Sequence, residues 1–67
     1  MRQFKEIEAA RRGIGVSQKV LAHRAGMREQ DYSRLKKPSK QGPTVRTLMR
    51  LSKALDELIA EKEQADG

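Results

Sequence analysis

The chain has 67 residues, 15 lysines and arginines against 9 aspartates and glutamates, a net charge of +6 and a sequence pI of about 10.2. A chain of this length predicts one domain across residues 1–67, burying only about 60% of its unfolded surface. With no cysteine and one histidine, a disulfide framework is excluded and an ordinary zinc site is not expected. No apolar run approaches the roughly 20 residues that cross a bilayer. The opening MRQFKEIEAARR lacks the apolar centre of a signal peptide, so a cytoplasmic location is expected.

Residues 2–12 read as a first helix, with Phe4, Ile7, Ala10 and Arg11 on one face and Phe4 and Ile7 in the core. Arg11 and Arg12 close it, where cations meet the negative end of the helix dipole. Gly13 suits the cap that follows, and Ile14 and Val16 should tuck under the next element. Glu6 and Glu8 read as part of a solvated face.

The stretch SQKVLAHRAGMREQDYSRLKK, residues 17–37, reads as two short helices joined by a tight turn. Ser17 can cap the first helix with its hydroxyl, and Leu21, Ala22 and Ala25 form a narrow apolar face. Gly26 sits where the chain must turn at positive φ, which glycine adopts without a steric penalty. The second helix restarts at about Arg28. Met27, Tyr32 and Leu35 face inward, leaving Arg28, Glu29, Gln30, Ser33 and Arg34 outward. Such a face is equipped to hydrogen-bond base edges in a DNA major groove.

The segment PSKQGP, residues 38–43, is the clear loop, because Pro38 biases Lys37 away from the helical region. Thr44 can cap a last helix at about 45–63. There Val45, Leu48, Leu51, Ser52, Leu55, Leu58, Ile59 and Lys62 trace one stripe, and Arg46, Arg50, Lys53, Glu57 and Glu61 fill the other face. Lys53 and Lys62 offer relief to the carboxylates Glu57 and Asp56. Residues 64–67 should fray.

The ordered set Ser17-Gln18, Leu21-Ala22, Ala25-Gly26, Ser33-Arg34-Leu35, Pro43-Thr44, Thr47-Leu48 and Ala54-Leu55 resembles the Cro/repressor-type helix-turn-helix family, the lambda-repressor-like or XRE-type DNA-binding domains, from about Phe4 to Leu58. The resemblance implies a compact all-α domain. Many members break after the Ala-Leu pair and add a fifth helix. Here LSKALDELIAEKE has no Gly or Pro to interrupt it, so four helices are expected. The family also implies a transcriptional regulator, such as a repressor, that reads double-stranded DNA as a homodimer. The alternatives are the antitoxin of a toxin–antitoxin pair, with a toxin protein as second partner, and a protein-interaction module that has lost DNA binding.

By the same resemblance, Arg28, Glu29, Gln30, Ser33 and Arg34 would contact bases. Arg11, Ser17, Gln18, Lys19, Lys36, Lys37, Ser39, Lys40 and Arg46 would contact the DNA backbone. Family members often carry a Glu after the leucine that ends the reading helix, paired with the basic residue at the Arg11 position. Lys36 stands there instead, so two cations should lie side by side. Tyr32, where the family has Ile or Val, is either a larger core residue with its hydroxyl at the edge or a phosphate contact. Val20 is an exposed apolar residue.

Charge supports a polyanion partner: residues 17–43 carry seven basic and two acidic side chains, a balance of +5. With one Phe, one Tyr and no Trp, stacking platforms for single strands are missing, which favours duplex DNA. No catalytic constellation appears, since His23, the one histidine, lies on an exposed position with no nucleophile beside it. Gly13-x-Gly15 lacks the Lys-Ser/Thr of a phosphate loop, and no cofactor is implied. Leu55, Leu58 and Ile59 extend the last apolar stripe beyond what three short helices can cover, so they are expected to form a dimer interface, with folding back beside Phe4 as the alternative.

Overall fold

A computed structural model describes residues 2–37 and 42–66. Among these residues there are four helices and no strand: α1 Phe4–Gly13, α2 Gln18–Arg24, α3 Glu29–Leu35 and α4 Val45–Asp66.

The sequence sets most of the boundaries through its caps. Glu6 accepts from the Gln3 backbone N–H at 3.2 Å at the start of α1. Ser17 Oγ accepts from the Val20 N–H at 3.2 Å, and Thr44 Oγ1 accepts from the Thr47 N–H at 3.2 Å. Each bond satisfies a donor that the first helical turn leaves free. α1 and α2 end alike. The Val16 N–H reaches the Arg11 carbonyl at 3.0 Å, and the Met27 N–H reaches the Ala22 carbonyl at 2.9 Å. Both closures need a left-handed residue, and Gly15 at φ 73° and Gly26 at φ 77° supply it. The cap glycine of α1 is therefore Gly15, whereas Gly13 is the last helical residue.

α4 runs 22 residues without a break, so no fifth helix is present among the described residues. It reaches Asp66, three residues past the expected end, and it is the long wall against which α1 and α2 pack. The core is Ile7 from α1, Leu21 and Ala22 from α2, Tyr32 from α3, and Leu48, Leu51, Ala54, Leu55 and Leu58 from α4. Phe4, Ile14, Val16, Met27, Leu35 and Ile59 pack around it, partly buried. Phe4 meets Tyr32 with ring centroids 5.4 Å apart, tilted by 52°, a favoured geometry for aromatic pairs.

Two expectations for α4 are corrected here. Leu55 is fully buried, Leu58 is 8% exposed and Ile59 packs on the core, so these residues are not an open patch waiting for a second copy. The core reaches them because α1 lies along the distal part of α4: Arg2 pairs with Asp56 at 2.8 Å, and Lys62 Nζ donates to the Ile14 carbonyl at 2.6 Å. Val45, expected on the inward stripe, is instead 61% exposed, although Leu48 three residues later is buried. The α4 carboxylates also find different partners from those expected. Arg24 of α2 bonds to Glu61 and lies 3.8 Å from Glu57, which joins α2 to α4.

Candidate nucleic-acid interface

Tyr32 divides α3 into two faces. Its side chain is fully buried, with Leu35 and the preceding Met27 packed beside it. Arg28, Glu29, Gln30 and Arg34 point outward and are exposed. Arg34 is held only loosely, with Nη1 3.7 Å from Asp31 Oδ1 and its side chain 77% exposed. Ser33 is half-buried, and its hydroxyl accepts from Gln18 Nε2 at 3.0 Å. This bond ties the first turn of α2 to the middle of α3. Ser33 and Gln18, expected to touch a base and a phosphate respectively, are thus engaged with each other, although the Ser33 proton is still available to donate.

Behind α3 lies a carboxylate that the sequence reading placed on a solvated face. The Glu8 side chain is only 11% exposed. Arg11 grips it with both ends of its guanidinium fork: Nε donates to Oε1 at 3.2 Å and Nη2 to Oε2 at 2.9 Å. The Tyr32 hydroxyl also donates to Oε1. Lys36 Nζ stands 3.9 Å and Arg12 Nη2 3.5 Å from Oε2. Burial alone raises the Glu8 carboxyl, but the bonds from Arg11 and Tyr32 and the charges of Arg11 and Lys36 outweigh it, leaving the group below the usual carboxylate range. The Tyr32 hydroxyl is pushed well above its ordinary value, first by burial and then by its bond to Glu8. Arg11 is shifted upward, first by its own bonds to Glu8. Three cations around one carboxylate leave the cluster positive.

The cluster corrects three readings. Lys36 does not face an unrelieved Arg11, because Glu8 stands between them. Arg11 is not free for phosphate: its third donor, Nη1, goes to the Val16 carbonyl at 2.9 Å, and its side chain is 11% exposed. It positions α1, the turn after it and α3 together. The Tyr32 hydroxyl is neither at the edge nor open to phosphate. Glu8 could have been found from its spacing, since it follows Phe4 by four residues and precedes Arg11 by three, placing it on the inward face of α1.

Among the other expected backbone contacts, Lys19, Lys37 and Arg46 are exposed, and the Lys36 side chain is 38% exposed. Ser17 is exposed but uses its oxygen to cap α2. Ser39 and Lys40 lie outside the described residues. His23 is exposed, as is Val20 at 47%.

Two helices at a tight glycine turn, the second buried on Tyr32 and polar on its free side, define a helix-turn-helix unit. The helix-turn-helix family profile matches residues 7–61, most of the chain. The chain belongs to this family, the Cro/repressor or XRE type, and is a DNA-binding regulator in the general sense. Among curated proteins and solved structures no match was found. No helix among the described residues is long and apolar enough to cross a membrane.

Proposed function

We propose that the protein is a transcriptional regulator that binds specific sequences in double-stranded DNA through α3. The observation that carries this reading is the division of α3. Its apolar side is fixed by Tyr32, and its free side offers Arg28, Glu29, Gln30 and Arg34, all exposed. Arg34 has the fork that pairs with guanine O6 and N7, Gln30 suits adenine N6 and N7, and Glu29 accepts from cytosine N4. Ser33 adds a hydroxyl donor. Lys19, Lys36, Lys37 and Arg46 lie along the chain on either side of α3 and supply the sequence-independent attraction to phosphate.

Seven helical residues specify only a few base pairs, so the operator is read by two copies on half-sites about 34 Å apart, one DNA turn. Selection of bound duplexes from a random pool, followed by gel shift, tests the reading. A recurrent motif with a two-fold repeat is the expected result. Enrichment of no sequence over the starting pool would overturn it.

A further inference from the structure

We infer that Arg12 and Lys36 together form a binding site for one phosphodiester of the DNA backbone, at the corner where the end of α1 meets the end of α3. The site rests on the reading of α3 above and gives Arg12, so far only a helix-end charge, a part in it.

Both cations are gathered on one oxygen. Arg12 Nη2 lies 3.5 Å and Lys36 Nζ 3.9 Å from Glu8 Oε2, so the two heads are close enough to share the two free oxygens of a single phosphate. Neither is consumed there. Both distances exceed a good hydrogen bond, and Arg11 already supplies Oε2 with a donor at 2.9 Å. The Arg12 side chain is 70% exposed, and Lys36 is open as well. The surface groove they line also holds Phe4, Lys5 and Ala9, with Glu8 as its only acid. Glu8 is engaged by Arg11 and Tyr32, so the groove keeps an excess of positive charge. The carboxylate thus confines two long side chains that would otherwise range freely, which lowers the entropy cost of gripping a phosphate.

Position selects the source of that phosphate. Lys36 follows Ser33 by one turn on the same side of α3, and Ser33 is tied to Gln18 in the first turn of α2. The open side of the cluster therefore borders the reading face. A helix about 10–12 Å across fills a major groove about 12 Å wide, so cations along its edge meet the phosphates of the groove wall. A diester there offers one charge and two free oxygens, which suit the fork of Arg12 and the ammonium of Lys36. Arg11 cannot stand in, because its donors are committed to Glu8 and Val16.

The salt dependence of binding to a duplex of arbitrary sequence tests this, so the result does not depend on finding an operator. Two cations on one phosphate share its neutralisation. Arg12→Ala and Lys36→Ala should each weaken binding with a slope reduced by clearly less than one unit, and the double variant should lower it by about one unit. Arg12→Lys in the Lys36→Ala background should recover the slope of Lys36→Ala alone. Lys53→Ala, which removes an exposed cation of α4 outside the cluster, controls for net charge and should leave the slope unchanged. The melting temperature of Arg12→Ala should stay near that of wild type, since an exposed ion pair contributes little. A loss of about two units in the double variant would mean two separate phosphates, and an Arg12→Ala variant that binds like Lys53→Ala would mean that Arg12 touches none. Either result would overturn the inference. A wild type without affinity for any duplex would instead overturn the reading of α3 itself.

Discussion

The hydroxyl of Tyr32 donates to the carboxylate of Glu8, and this bond joins the buried side of α3 to α1. Removing either partner leaves the other buried without its mate, which costs more than the bond itself contributes. Tyr32→Phe should destabilise the domain by about 1–2 kcal/mol. Glu8→Ala should cost more than Tyr32→Phe, because Arg11 loses two bonds as well. Denaturant titration of the two variants and the double variant measures this. A double-variant loss equal to the sum of the single losses would show that the two groups do not interact.

The same carboxylate sets an acid limb. Its value lies below the ordinary 4.5 in the folded chain, so the unfolded chain binds the proton more readily. Its contribution is therefore complete above the unfolded value and is lost as pH falls through the folded one. Stability should hold from neutral pH down to about pH 5 and decline below it. Glu8→Gln should be less stable than wild type at pH 7, with the difference shrinking toward pH 3. Thermal melts across that range provide the comparison, and a constant difference would assign the acid limb to other groups.

The turns offer a contrast between two glycines with open space around them. A Cβ at Gly26 or at Gly13 would meet nothing within 4 Å. Only Gly26 has positive φ, at 77°. Gly26→Ala should cost about 1 kcal/mol and Gly26→Val more, through backbone strain alone. Gly13→Ala, in a helical position, should be neutral or stabilising by up to about 1 kcal/mol. Melting temperatures that move in the same direction for Gly13→Ala and Gly26→Ala would contradict this account of the turns.

On DNA, base and phosphate contacts separate by their response to sequence and salt. Arg34→Ala should cost about 1–3 kcal/mol on the selected site and relax discrimination at one or two base pairs. Lys37→Ala should weaken all duplexes about equally and lower the salt slope by roughly one unit. Arg11→Ala should instead lower the melting temperature, because its guanidinium is committed to Glu8 and Val16. If Arg11→Ala lowered only the salt slope, with an unchanged melt, Arg11 would be a phosphate contact after all.

Local chemistry made much of the fold readable in advance. Ser17, Gly26 and Thr44 announce helix ends by what their own atoms can bond or which φ they allow, and the structure uses all three in that way. The outward face of α3 followed from Tyr32 and Leu35 at helical spacing. Long-range choices were not readable in the same manner. Glu8 looks like a solvated charge until Tyr32, 24 residues later, is brought against it. Leu58 looks surplus until α1 is laid along α4. Val45 fits the inward stripe by period, yet it is exposed while Leu48 is buried. Each miss concerns how elements sit against one another rather than which elements form.

The split between the two sides of α3 also bears on redesign. The groups that hold the helix in place, Tyr32 and Leu35, are distinct from the exposed Arg28, Glu29, Gln30 and Arg34. Rewriting those four positions touches no core contact, so a library randomised there should keep the fold in nearly every member. Ser33 is the exception, because its oxygen is the anchor for Gln18. A retargeting scheme that leaves Ser33 fixed and varies its neighbours would separate what this helix recognises from what keeps it folded, and the chain could serve as a small exchangeable scaffold.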